Sequence, residues 1–206
     1  TNGTLHKVSV GANGALTQVG AVSFGDYSTS TPALADGVLY VGGSQNGQGL
    51  LAAIDAATLA LTATVTAADG SPLPGEVKST PLLVRDSAGV VALFTCNGAG
   101  GEWPNYTSGG GVFAYRLGDQ EAQLVFDPPA GMHNYAMASV AYGGAGTFYY
   151  VNDSGHLFAL GLSSQPPAPR PSTDSETPGE PQNPETPQKP ESPTGPGKSN
   201  PKNPTS

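Results

Sequence analysis

The side chains that could run a reaction or hold a metal are few in this chain, and their spacing supports neither. His6, His133 and His156 fall at different positions of separate segments, with no second ligand at short spacing, so no shared metal site is expected. Cys96 is the single cysteine, which excludes an internal disulfide framework. No Lys, Arg or His adjoins it to lower the thiol pKa, and it reads as a small buried hydrophobe. The glycine clusters at Gly98 to Gly101 and Gly109 to Gly111 lack the Lys-Ser/Thr and the helix of a phosphate loop. Asp153-Ser154-Gly155 is a hairpin-turn sequence, too short for a calcium loop.

Two segments suit binding better. Glu102, Trp103, Asn105 and Tyr106 lie between glycine clusters and include the only tryptophan, and His133, Asn134 and Tyr135 form a second polar-aromatic group. Rings bury much area while amide and carboxylate neighbours fix orientation, which suits sugars, peptides or small amphipathic molecules. The competing expectation for Trp103 is a packing role, plugging one end of the fold. No catalytic residue and no metal ligand is assigned.

These segments hang on a repeat. Gly3-Thr4-Leu5, Gly49-Leu50-Leu51, Gly111-Val112-Phe113 and Gly155-His156-Leu157 each open a short apolar run, and recurrence at this scale marks a supersecondary unit used several times. Between Ser30 and Val65, β-branched and apolar runs alternate with turns at Asp36-Gly37, at the Gly47-Gly49 region and at Asp55 to Thr58. Such punctuation predicts a four-stranded antiparallel meander. Similar units are expected at 78–127 and, lacking a fourth strand, at 138–162; residues 1–26 supply the last two strands of an earlier one, and 27–66 is the best-formed copy. The fold class is all-β, with about three and a half blades of a β-propeller in an incomplete ring.

Because turns alternate ends in a meander, the long segments Thr66 to Lys78, Asn97 to Gly110 and Asp127 to Ala138 must share one rim. Long connections without secondary structure are where binding residues concentrate.

The pattern Ser30-Thr31-Pro32-Ala33, Asp36-Gly37-Val38-Leu39-Tyr40-Val41-Gly42-Gly43, then Gly49-Leu50-Leu51-Ala52-Ala53-Ile54-Asp55 resembles the pyrroloquinoline-quinone-like (PQQ-like) repeat. The resemblance covers residues 3–162. It implies propeller blades and, for the enzymes of that family, a quinone held with calcium beside neighbouring cysteines; with Cys96 standing alone, no cofactor is expected, and PQQ with calcium belongs to the alternative of a quinoprotein dehydrogenase fragment. The favoured expectation is a binding module, more a non-enzyme than an enzyme, whose missing blades come from the same longer chain. A protein-assembly scaffold is the third possibility.

Composition divides the chain at residues 164 and 165. Of 20 prolines, 13 lie from Pro166 onward, and that tail has too little apolar surface to offset the entropy of ordering. Residues 165–206 are expected to be a disordered spacer. From Pro178 to Pro196 proline recurs at every third position, the period of polyproline II. It resembles the stalks of Gram-positive surface proteins, which implies an extracellular or cell-surface location. Residues 1–164 hold four Lys or Arg against eleven Asp or Glu, so no basic surface exists for nucleic acid. No apolar run approaches the ~20 residues of a membrane helix, so no insertion is expected. The ligand expected on the long-segment rim is a protein, a glycan or a small molecule.

Overall fold

The computed structural model describes residues 2–119 and 121–161, and those residues contain strands and turns but no helix. β1 (Thr4–Val10) and β2 (Leu16–Ser23) form a hairpin sheet. β3 (Ala33–Ala35), β4 (Val38–Gln45), β5 (Gln48–Asp55) and β6 (Leu61–Ala67) form the first complete meander. β7 (Leu82–Asp86), β8 (Gly89–Thr95), a short ladder of β9 (Gly98–Ala99) and β10 (Ser108–Gly109), then β11 (Val112–Arg116) and β12 (Glu121–Phe126) make the second. β13 (Ala141–Gly144), β14 (Thr147–Val151) and β15 (Leu157–Gly161) make a three-stranded third.

The meanders pack face to face, and burial follows from that. β5 is buried along almost its whole length, because both faces of its sheet are covered and its side chains need not alternate. β14 alternates instead, with Phe148 and Tyr150 buried and Tyr149 and Val151 exposed, because among the described residues only one face of the last sheet is covered. Three cores result. Leu5, Val22 and Phe24 meet Val41, Leu50 and Ile54; Tyr40, Leu51 and Val65 meet Phe94, Phe113 and Tyr115; Leu93, Val112 and Phe126 meet Phe148, Tyr150 and Phe158.

One join was not legible beforehand. The outer strands β6 and β12 pair in parallel at Thr66 with Glu121 and Ala67 with Ala122, so the two complete meanders form one eight-stranded, nearly closed, barrel-like sheet. Equivalent strands of successive meanders run in the same direction, so a parallel bridge is the form such a join must take.

The recurrent glycines have a steric cause. A Cβ on Gly3 would collide with the Gly25 carbonyl, one on Gly49 with the Gly75 carbonyl, and those on Gly110 and Gly111 with the Asn134 and Phe126 carbonyls. In each case the start of the third strand is pressed against the backbone that leads to the next sheet. Gly155, the corresponding residue of the last sheet, has nothing within 4 Å. A serine recurs as well: Ser30 Oγ accepts from Gly42 N–H at 3.0 Å and Ser79 Oγ from Thr95 N–H at 3.1 Å, while Ser139 Oγ accepts from Thr80 N–H of the neighbouring sheet at 3.0 Å.

Cys96 lies in the central core with no exposed surface, and burial pushes its thiol pKa up. Iodoacetamide should therefore leave the native protein unmodified and label it only as denaturant opens the central core. Labelling in native buffer at the rate of a free thiol would contradict this placement.

Candidate functional site on the long-connection rim

The three long connections do share a rim. Asn97 N–H donates to the Glu76 carbonyl at 2.9 Å, joining the second-sheet insertion to the connection before it, and Gly98 N–H donates to the Asn134 carbonyl at 3.0 Å, joining it to the connection after. Short turns occupy the other rim, where Arg85 bonds Asp36 at 2.5 Å. There Arg116 grips Asp86 with two hydrogen bonds, of 2.9 and 2.6 Å. That grip, with the Ala88 N–H, holds the Asp86 carboxyl well below its usual range.

At the rim's centre, three residues occupy one repeat position. The carbonyls of Tyr27, Glu76 and Tyr135 accept from the N–H groups of Ser44, Asn97 and Asp153 at 2.9, 2.9 and 3.0 Å. Their side chains surround a single ammonium. Lys78 Nζ is 2.7 Å from Glu76 Oε2, donates to Tyr135 Oη at 2.6 Å and stands 5.2 Å from the centre of the Tyr27 ring. Ser44 Oγ donates to the second Glu76 oxygen at 3.3 Å. The Lys78 side chain is 12% exposed. Burial would lower its pKa, but the hydrogen bonds to Glu76 and Tyr135 outweigh that and hold it above the ordinary lysine value. The hub thus carries a charge that stays on through neutral pH, compensated by one carboxylate and by the rings of Tyr27 and Tyr135, the latter centred 4.9 Å away.

The residues singled out in the sequence fall into two groups. Glu102, Trp103 and Asn105 lie exposed at the tip of a hairpin-like stem, with Trp103 66% exposed. The stem is β9 and β10; its turn closes through Asn105 N–H to the Glu102 carbonyl at 2.7 Å, and Thr107 N–H donates to the Ala99 carbonyl at 3.1 Å. Tyr106 is half-buried, its ring lying where a side chain on Gly98 would be. The expectation that Trp103 plugs the fold is corrected: Gly98, Gly100 and Gly101 let the stem fold tightly on itself, and this holds the indole out in solvent.

The second group lies deeper, with His133 and Asn134 buried and Tyr135 half-buried. His133 is buried and its Nε2 is 3.2 Å from Asp127 Oδ1, and the buried Asn134 accepts the Tyr135 N–H on its side-chain oxygen at 2.8 Å. Tyr135 alone of this group reaches the hub. The stem tip and the hub therefore belong to one rim without a direct contact between Trp103 and Lys78.

Sequence reasoning missed Tyr27, Glu76 and Lys78, together with two buried asparagines. Asn97 Oδ1 accepts from Ala136 N–H at 2.9 Å, and Asn152 Nδ2 donates to the Met132 carbonyl at 2.9 Å. The available signal was Lys78 itself, one of four cations in the first 164 residues and placed just before a recurring Ser-Thr-Pro. Among the described residues no three His, Cys, Asp or Glu side chains gather as metal ligands; His6 bonds Gln18 at 2.9 Å, while His156 bonds the Ser154 carbonyl at 3.1 Å. Compared with protein-family models and with curated proteins, the chain matches none.

Proposed function

We propose that this protein is a binding module of β-propeller type, resembling PQQ-like repeats, that presents the long-connection rim to a ligand. The observation that carries the reading is Trp103: a large aromatic held in solvent by a glycine-built stem, flanked by Glu102 and Asn105 as orienting polar groups. An exposed indole gains more from a ligand than from water, and tryptophan is among the commonest residues to dominate an interface. Among the described residues the forward face of the last sheet is uncovered and nothing lies near Gly155, which supports further blades completing a ring. The proline-rich segment serves in this reading as the spacer that displays the module outside the cell.

The ligand classes are a glycan, an extended peptide or a small amphipathic molecule. With one tryptophan in the chain, intrinsic fluorescence reports directly on this residue. Titration with chito-, cello- and malto-oligosaccharides and with a peptide library should give a saturable change in emission for one class. Trp103→Ala, which has lost the only indole and is therefore titrated by isothermal calorimetry, should weaken that binding roughly 30-fold, the ~2 kcal/mol of an interface hot spot, with the circular dichroism unchanged. Binding by Trp103→Ala at undiminished affinity, or silence across all the ligands, overturns the proposal. Added pyrroloquinoline quinone with calcium gives a bound-quinone spectrum only if the dehydrogenase alternative holds.

A further inference from the structure

The two rims differ in charge. Arg85 and Arg116 are paired with Asp36 and Asp86 at the short-turn rim, and Lys7 Nζ donates to the carbonyls of Ala56 and Ala57, in another short turn, at 2.9 and 3.1 Å. The long-connection rim has Lys78, which Glu76 compensates at 2.7 Å. Asp26, Asp69, Glu102, Asp127 and Asp153 lie exposed on it. Among the described residues this rim therefore presents carboxylates and no unpaired Lys or Arg, a field that draws positive ligands and repels negative ones.

On the same rim a hollow of about 380 Å³ opens between residues 67–74 and the base of the stem that carries Trp103. Its floor is apolar, with Phe113 of β11 and Leu124 of β12 beside Pro72 and Pro74. Phe113 is buried, but Leu124 is 50% exposed. Asp69 and Asp127 stand in the walls, and each is anchored: Asp69 Oδ1 accepts the Ser71 N–H at 2.9 Å, while Asp127 Oδ1 is 3.2 Å from His133 Nε2. A half-exposed leucine flanked by two fixed carboxylates suits a side chain that is apolar along its length and cationic at its end.

We infer that this hollow takes an arginine side chain from an extended peptide of a partner protein, its aliphatic stem along Leu124 and Phe113 and its guanidinium between Asp69 and Asp127. The inference rests on the rim being the ligand-binding face, and it names the ligand class for that face. Arginine fits better than lysine, because its planar fork donates to two carboxylates at once where an ammonium acts as a point charge. Ser108 and Gly109 of β10 belong to the wall, so a peptide seated here runs beside the stem that carries Trp103. Neutral oligosaccharides lack the cation, and they leave the two carboxylates unpaired.

The test titrates the full chain by isothermal calorimetry with the peptide acetyl-Gly-Ser-Leu-Arg-Leu-Ser-Gly-amide and with the same peptide carrying citrulline, the uncharged isostere, in place of arginine. The arginine peptide should bind saturably and about tenfold tighter than its isostere, and its affinity should fall several-fold as salt rises from about 50 to about 300 mM. Asp69→Asn keeps the turn, since an amide oxygen also accepts the Ser71 N–H, and alone it should weaken the arginine peptide about threefold. With Asp127→Asn added, the preference for arginine over citrulline should vanish while the urea midpoint stays put. Equal affinity for the two peptides, a preference that survives in the double variant, or no binding of either overturns the inference. Oligosaccharide binding reported by Trp103 emission would in that event leave the rim reading standing. Binding that emerges only after Arg170→Gln would assign the hollow to this chain's own proline-rich segment and overturn the assignment to a partner.

Discussion

Gly49→Ala should be among the most damaging single-methyl substitutions in the molecule, costing about 3 kcal/mol, whereas Gly155→Ala should cost only about 1 kcal/mol. A Cβ on Gly49 would penetrate the Gly75 carbonyl, and backbone on both sides must separate to admit it, so the penalty is that of overpacking a junction between sheets. Gly155 has open space around it, and its replacement pays only for a left-handed φ of 79°. The two residues open equivalent strands, so propensity alone predicts similar losses or the reverse order. Urea midpoints of the two variants decide: equal midpoints, or Gly155→Ala the weaker protein, would show that the repeat glycines are not spacers between sheets.

The second large effect is expected at the hub. Glu76→Gln removes the one carboxylate that, among the described residues, pairs with the Lys78 ammonium while keeping the shape, leaving a mostly buried charge with a hydroxyl and two aromatic rings for company. Stripping one partner from a fully buried pair costs about 3–5 kcal/mol, and the partial exposure of Glu76 reduces this to about 2 kcal/mol. Lys78→Met in the same background should recover most of the loss, because the stem still packs and the orphaned charge is gone. The sign with pH follows from the raised Lys78 pKa. Its contribution is fully present below the unfolded lysine value near 10.5 and is lost as pH rises through the higher folded value. A double-mutant cycle at pH 7 and pH 11 measures both; additive losses with no change between the two pH values would mean that the cluster is an ordinary surface pair.

The strands were legible because their cause is local. Val38–Val41, Leu50–Ile54 and Thr147–Val151 are β-branched, aromatic or aliphatic runs ended by Asp-Gly, Asn-Gly or Asp-Ser-Gly, and each run became a strand in the structure. Rim sharing was legible for the same reason, since parity in a meander needs no side-chain detail. The hub was not. Tyr27, Glu76 and Tyr135 are separated by about fifty to sixty residues, and their convergence depends on how three connections curve inward. The β6–β12 bridge was equally hidden, because it joins strands through two residue pairs that neither sequence marks. The stem under Trp103 reads as loop because two-residue strands made of glycine, alanine and serine have no hydrophobic period.

The three intersheet cores differ in depth, and this sets an order of events during heating or mechanical load. The central one includes Tyr40, Phe94, Phe113 and Tyr115, aromatic from both sides, whereas the first relies on one aromatic ring, Phe24, among aliphatic groups. Subglobal opening is cheapest where the least apolar area is exposed, so the amino-terminal hairpin is the element that frays first and the sheets flanking Cys96 form the last cooperative unit to melt.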